Sequence, residues 1–392
     1  MIEVQQALKI LRETSPKQIR ESRDLKDSLG YVLSEEIIAP IDLPNFDQSA
    51  MDGYAVNVKT GNEVYEMIGE VQAGSANEPV LLPGQCVRIF TGAKVPVTAN
   101  TVIQQEWAIT NGNEVRFDRA VEKGRNIRPK GEQIKKGSMA LEKGSVLNAA
   151  SIGFLAGMGI TELPVCRKPT VHILTTGNEL IPPGHDLAPG QIFESNSIML
   201  QSALNTFGFD EVQVATVPDD YEKTVQVIKT ALENADLLML SGGISVGDYD
   251  YVYKALLENQ VNELFYKVNQ KPGKPLYFGK KDQQIVAALP GNPAAALSCF
   301  YIYVLPTLNQ MYGKGFQGLK TSKALMAESY SKKGSRAQFL KAKLDKNQVR
   351  PLGGQSSAML KSFSEANVLI YIPTEAETVL KGEEVLVYHI HV

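Results

Sequence analysis

The chain has 392 residues, room for two to four domains at roughly 100–200 residues each. A net charge of −3 with 21% charged residues gives no electrostatic argument for a nucleic-acid partner, which usually needs a basic face, and 43% hydrophobic residues suffice for ordinary globular cores. The three cysteines, Cys86, Cys166 and Cys299, lie too far apart for a disulfide framework or a zinc site, so they are expected as buried free thiols of a cytoplasmic protein.

Residues 1–39 read as helical, with Val4, Leu8 and Leu11 at helical spacing and Leu25, Leu29 and Val32 repeating it. Charged Glu3, Lys9 and Arg12 make the first segment an amphipathic helix rather than a signal peptide. Two prolines in Ala39-Pro40-Ile41-Asp42-Leu43-Pro44 mark a boundary. Residues 41–135 then carry short β-like runs, with Asn111-Gly112-Asn113 as a hairpin turn before Glu114 to Phe117. Residues 136–168 change texture again and contain a small-residue helix, Ala149 to Met158. The longest weakly polar run, Ala149 to Ile160, is shorter than the about 20 residues a bilayer needs, so no membrane span is expected. Residues 1–40 and 136–168 are therefore expected to form one elongated helical domain, interrupted by a β-rich insertion at 41–135.

Residues 169–308 alternate strand and helix. Strands are expected at Thr170 to Leu174, Glu211 to Val217, Asp236 to Leu240 and Gln284 to Leu289, and helices at Ser195 to Phe207, Asp220 to Ala235 and Pro293 to Leu305. Repeated β–α units imply a doubly wound, parallel α/β domain with ligand loops at the carboxyl ends of its strands. Residues 309–392 turn β again and predict a C-terminal β-barrel, so the fold class is multidomain α/β.

Four loops of the α/β region carry groups suited to an anionic ligand. Ser241-Gly242-Gly243-Ile244-Ser245-Val246-Gly247-Asp248-Tyr249-Asp250 follows a buried strand directly. Its glycines allow close backbone approach, Ser241 and Ser245 add hydroxyls, and Asp248 and Asp250 suit a hard cation beside a phosphate. The plainer alternative is that the two aspartates only cap the next helix. Lys271-Pro272-Gly273-Lys274-Pro275 is a stiffened cation pair, or simply a turn between strands. Leu289-Pro290-Gly291-Asn292-Pro293 starts a helix whose N–H groups can meet an anion, or is an ordinary βα turn. Thr175-Thr176-Gly177-Asn178-Glu179-Leu180 follows the first strand. In the insertion, Asp52-Gly53 reads as a turn, and Phe90-Thr91-Gly92-Ala93 ends a strand. His389 and His391 share a strand face at the C-terminus and are expected as surface residues rather than ligands. No P-loop, His-Glu-x-x-His or serine nucleophile elbow is present.

Taken in order, Phe46 to Ala55, Thr91-Gly92-Ala93, Thr176 to Leu180, Ser241 to Asp250, Pro272 to Pro275 and Leu289 to Pro293 closely resemble the MoeA-type molybdopterin molybdenumtransferases, also represented by the E domain of gephyrin. The resemblance spans nearly the whole chain. It implies a cytoplasmic homodimer, molybdate and adenylylated molybdopterin as substrates, release of AMP, and Mg²⁺ as cofactor. A molybdopterin adenylyltransferase is implied as substrate donor and molybdoenzyme chaperones as further candidate partners, with no nucleic acid and no membrane. Carried over position by position, it implies catalytic roles for Asp52, Thr91, Asp250, Lys271 and Lys274. Ligand contacts are implied at Gly177, Glu179, Ser241, Gly242, Gly243, Ser245, Gly247, Asp248, Pro272, Gly273, Pro275, Pro290, Gly291 and Asn292, and metal ligation at Glu179 and Asp250. Two departures stand out: Gln133 follows Gly131-Glu132 where the family often has aspartate, and Asn178 replaces the aspartate of Thr-Gly-Asp-Glu-Leu. An amide brings no charge to a hard cation. The alternative from another class is a dimeric scaffold or carrier that binds pterin or peptide without turnover; a weaker one is an adenylyltransferase acting on the pterin.

Overall fold

The computed structural model describes residues 1–14, 16, 18–58, 64–244 and 251–390. They form two compact units, Met1–Glu21 with Cys166–Val392, and Ser22–Val165. Sequence texture grouped residues 1–40 with 136–168, whereas compactness divides the chain at Glu21 and Cys166. Among the described residues, no helix is long and apolar enough to cross a membrane.

Within Ser22–Val165, the second helical repeat expected from Leu25, Leu29 and Val32 is absent. Leu25 opens a single 3₁₀ turn, Leu25–Asp27; Leu29 is 64% exposed, and Val32 makes an isolated bridge to Val146. The turn is closed locally by Ser28 Oγ donating to the Asp24 carbonyl (2.7 Å) and by Gly30 at φ +78°. Leu25 and Leu33 instead reach a core with Leu147, Leu155 and Met158, so tertiary burial overrides the helical spacing. The helix Ala149–Gly157 starts where Asn148 Oδ1 accepts from the Ser151 N–H (2.9 Å).

The insertion contains a six-stranded sheet in the spatial order Thr101–Gln104, Gly53–Val56, Gln85–Ile89, Val64–Val71, Glu114–Phe117, Ala108–Asn111. The last two form the expected hairpin, with Gly112 at φ +60°. Alternate residues feed two cores: Ala55, Val87 and Ile89 on one face, and Tyr54, Val56 and Cys86 on the other. Gly53 runs so close to its neighbour that a Cβ would lie 1.9 Å from the Ile103 carbonyl oxygen. Gly53→Ala is therefore expected to destabilise this unit by about 3 kcal/mol or more, read as a fall in its thermal melting temperature.

In the larger unit, the central sheet consists of β1 (Val171–Thr176), β2 (Val212–Val217), β3 (Leu237–Ser241), β4 (Asn262–Tyr266), β5 (Tyr277–Lys281) and β6 (Gln284–Leu289). Their spatial order is β2-β1-β3-β6-β5-β4. The first four in that order are parallel; β5 and β4 add an antiparallel edge. Strands β1 and β3 are buried at every residue, as a sheet covered on both faces requires. The crossovers are α1 (Asn196–Thr206), α2 (Tyr221–Asn234) and α3 (Tyr251–Glu258), and α4 (Pro293–Cys299) follows β6. Ile228, Leu232, Val252 and Leu256 of α2 and α3 pack on Leu174, Leu238, Leu240 and Val286 of the sheet. Helices α1 and α4 touch each other, and they touch β1 and β6 respectively. The helix expected from Pro293 to Leu305 is interrupted by a wide turn, Phe300–Val304, before Leu305–Met311. Pro306 has no N–H for the carbonyl one turn earlier, which favours that wider turn.

The chain runs outward from β1 to β2 and then returns to place β3 on the other side of β1. This reversal opens a crevice at the carboxyl ends of β1 and β3. The N-terminal helix, Val4–Glu13, belongs to the same unit, tied by Ile2 N–H to the Lys267 carbonyl (3.0 Å) and by Gln310 Nε2 to the Arg12 carbonyl (2.8 Å). The C-terminal strands Ala337–Asp345, Gln348–Pro351, Thr321–Met326, Glu384–His389 and Val368–Ile372 pair in that order, and the last pairs with the first, closing a barrel.

Candidate active site

A cleft of about 630 Å³ lies at the switch point of the sheet. Its floor is made by the ends of β1 and β3 and the turn after β6: Thr176, Ser241 to Ile244, and Pro290 to Asn292. Gly242 is at φ +94°, and a Cβ there would sit 2.9 Å from the Thr176 carbonyl oxygen. Gly291 faces it from the neighbouring loop, its own would-be Cβ 3.6 Å from the Gly242 Cα. Two loops thus approach backbone to backbone, and at Gly242 the left-handed φ and the nearby Thr176 carbonyl require glycine. At Gly243, a Cβ would approach Thr176 Oγ1 to 2.8 Å.

Asn196, in the first turn of α1, staples this floor. Its Nδ2 donates to Ser241 Oγ and to the Gly291 carbonyl, both at 2.8 Å. Asn196 Oδ1 and Thr176 Oγ1 are buried and, among the described residues, lack hydrogen-bond partners. In the sequence, Asn196 or Ser195 reads as no more than a cap for the helix expected at Ser195 to Phe207, and asparagine at a helix start is ambiguous in that way. Glu194, also on the cleft wall, was missed; it accepts from the Ser197 N–H (3.0 Å) and hydroxyl. The C-terminal barrel supplies Ala358 to the wall and Ser357 beside it, which accepts from Asn292 Nδ2 (3.1 Å). No local sequence signal marks that segment.

Glu179 is exposed at the cleft and folds back over Gly177, where a Cβ would lie 2.5 Å from Oε2. Asn178 points elsewhere: its Oδ1 accepts from the Asp219 N–H and its own N–H donates to Asp219 Oδ2, both at 3.1 Å. The amide that departs from the family pattern therefore locks two loops together. Asp219 itself was not singled out from the sequence. Gln133 is exposed and lies in the other unit.

Pro275 lines the cleft next to exposed Lys274. Lys271 is exposed as well. The turn between the lysines is held from below, with Gln270 Nε2 donating to the Gly273 carbonyl (3.1 Å) and Gly273, at φ +85°, pressed against Cys299 Sγ. The Lys271–Pro272 peptide is cis. Burial pushes the Cys86 and Cys299 thiols up to about 12, so neither serves as a nucleophile.

In the smaller unit, Asp52 Oδ1 accepts from both the N–H and the hydroxyl of Thr91, each at 2.7 Å. These bonds, the backbone one first, hold the Asp52 carboxyl below its ordinary range; burial opposes weakly, and Arg88 adds attraction. Ser245, Gly247, Asp248 and Asp250 lie outside the described residues, as does His391. Among the described residues, no three His, Cys, Asp or Glu side chains converge as a metal site.

Three family models match the chain in order: the MoeA N-terminal region (domain I and II) over residues 2–159, a probable molybdopterin binding domain over 172–310, and the MoeA C-terminal region (domain IV) over 323–390. The molybdopterin molybdenumtransferase of Staphylococcus epidermidis is 32% identical over 383 residues, covering 95% of this chain and 91% of its own. That of Haemophilus influenzae is 33% identical over 376 residues, covering 94% and 93%. A crystal structure of the molybdopterin biosynthesis MoeA protein from Pyrococcus horikoshii superposes with a TM-score of 0.87 at 30% identity, covering 100% of this chain and 99% of that one. With the switch-point cleft, the glycine floor and these matches along the whole length, the chain belongs to the MoeA family of molybdopterin molybdenumtransferases.

Proposed function

We infer that this chain inserts molybdenum into adenylylated molybdopterin and releases AMP, completing the molybdenum cofactor. The observation that carries the reading is the cleft itself: a glycine-built floor at the switch point, open to an anionic ligand, with Glu179 at its edge and the Lys271–Lys274 loop adjoining it at Pro275.

In this reading Gly242 and Gly243 let the phosphates approach the backbone, and Lys271 and Lys274 attract phosphate and molybdate oxygens as point charges. Asn196 Oδ1 and Thr176 Oγ1 remain to hydrogen-bond the pterin. Mg²⁺ takes one or two carboxylates and completes its shell with water and phosphate oxygens, which is what supports assigning it here. Glu179 and Asp250 would hold it, and it would neutralise charge on the phosphates. The dithiolene sulfurs belong to the substrate, so the buried cysteines have no part. Ser245, Gly247 and Asp248 extend the same loop in sequence and are proposed as ligand contacts, with Gly177, Ser241, Pro272, Gly273, Pro275, Pro290, Gly291 and Asn292 shaping the rest. The family resemblance supports a cytoplasmic homodimer in which the Asp52–Thr91 pair of one protomer serves the cleft of the other. It also supports a molybdopterin adenylyltransferase as donor and molybdoenzyme chaperones as recipients.

The test mixes purified protein with adenylylated molybdopterin, Mg²⁺ and molybdate and follows AMP by chromatography. Molybdate-dependent AMP release is expected. Glu179→Gln and Asp250→Ala should each lower kcat by roughly 10²–10³-fold while substrate binding survives. Tight binding without AMP under any divalent metal would make the chain a carrier or scaffold instead.

A further inference from the structure

Lys341 lies in the barrel strand Ala337–Asp345 and is only 3% exposed. Buried lysines are usually paired with carboxylates. Here the ammonium donates to the carbonyls of Gly354 (2.7 Å), Ser356 (3.2 Å) and Met359 (2.9 Å), which uses all three of its donors. Its backbone holds the same segment through Gln355: the Lys341 N–H donates to Gln355 Oε1 (3.0 Å), and Gln355 Nε2 donates to the Lys341 carbonyl (2.8 Å).

Ser356 and Met359 bracket Ser357 and Ala358, which meet the start of α4 and the cleft respectively. Ala358 lines it, Ser357 Oγ accepts from Asn292, and the Ser357 carbonyl accepts from the Ala295 N–H (3.1 Å). The segment therefore has an inner side gripped by one ammonium and an outer side seated on the start of α4. Three converging carbonyls suit a compact triple donor; an apolar side chain of equal length takes the ammonium from all three, leaving Gly354 and Met359 with the Ser362 hydroxyl and the Ser356 carbonyl without this donor.

We propose that Lys341 is a positioning residue: it fixes the segment Gly353–Leu360 as the barrel's contribution to the cleft and so sets substrate affinity without touching the substrate. The inference rests on reading the cleft as the pterin site. The reacting groups are placed by other elements, so the effect falls on binding rather than on the chemical step.

Lys341→Met, Lys341→Arg and Gln355→Ala are compared with the parent full-length protein. KM and kcat are read from AMP release, the dissociation constant of molybdopterin from its fluorescence, and amide exchange from residues 353–360. Lys341→Met should raise KM and the dissociation constant about tenfold, with kcat within about twofold and faster exchange confined to that segment. Lys341→Arg should recover part of the affinity, and Gln355→Ala, which loosens the segment while leaving the ammonium in place, should show a smaller shift of the same kind. Unchanged affinity with only a lower melting temperature, or a fall in kcat alone, would overturn the proposal. Should Lys341→Met fail to fold, Gln355→Ala decides by the same criteria. If the parent protein binds molybdopterin but releases no AMP, the proposed activity fails, while the binding and exchange measurements still judge Lys341.

Discussion

Gly242→Ala is expected to abolish turnover by at least about 10²-fold and to lower the melting temperature of the larger unit. Two independent penalties act at this position. Its φ of +94° lies where a side chain is strained, costing about 1–3 kcal/mol. A Cβ would also stand 2.9 Å from the Thr176 carbonyl oxygen, and backbone cannot yield as a side-chain tip can. Relief requires the loop after β3 to move away from β1, towards Gly291 and the cleft. Both the floor and the Asn196 staple to Ser241 and Gly291 would then be displaced. Turnover is measured as AMP release and stability by thermal melting. A variant as active as the parent would exclude the glycine floor as the substrate's seat.

Asp52→Ala and Asp52→Asn are expected to lower kcat to a similar extent, roughly 10²-fold, although they differ in geometry. Asparagine retains an oxygen able to accept the Thr91 N–H and hydroxyl bonds made at 2.7 Å, so it keeps the shape and removes the charge. Similar losses identify the negative charge as the active property; near-normal kcat in Asp52→Asn would reduce Asp52 to a brace for Thr91. The pH dependence follows from the same bonds. The Asp52 pKa is lowered from 3.8, first by the Thr91 N–H, so the carboxylate keeps its charge to lower pH than a free aspartate. Its contribution is present above the ordinary carboxylate range and is lost only as pH falls through the lower, folded-state value. Activity lost on acidification from neutral pH to about 5 must therefore come from other groups, and its acid limb should be the same in the parent and in Thr91→Val.

The α/β region was legible because its signals are local. Gln284–Leu289 is a strand at the boundaries its apolar run predicts, and Tyr221–Asn234 is a helix whose start Asp220 marks by accepting from the Lys223 N–H (2.9 Å). Buried parallel strands read as continuous apolar runs, and capping is a contact between near neighbours in sequence. The repeat at Leu25, Leu29 and Val32 misled because spacing reports which residues want burial, and not which partner buries them. With Leu147 and Leu155 available, a single turn and an extended segment serve Leu25 and Leu33 better than a helix would.

Glycines, lysines and acids of the cleft announced themselves by residue type, since close backbone approach and anion attraction each need particular side chains or none. The residues that organise the cleft did not. Asn196 looks like any helix cap until β3 and β6 bring Ser241 and Gly291 within 2.8 Å of its amide. Asn178 looks like a lost metal ligand until Asp219 meets it across the loop after β2. Lys341 looks like one of many surface lysines until the segment carrying Gly354, Ser356 and Met359 folds over it. What the sequence by itself determined is the order of elements, the family and the chemistry of the loops, because each follows from neighbours along the chain. What only the tertiary structure decided is which polar groups meet, because bonds such as those from Asn196 to residues 45 and 95 positions away form only once the sheet has set its strand order.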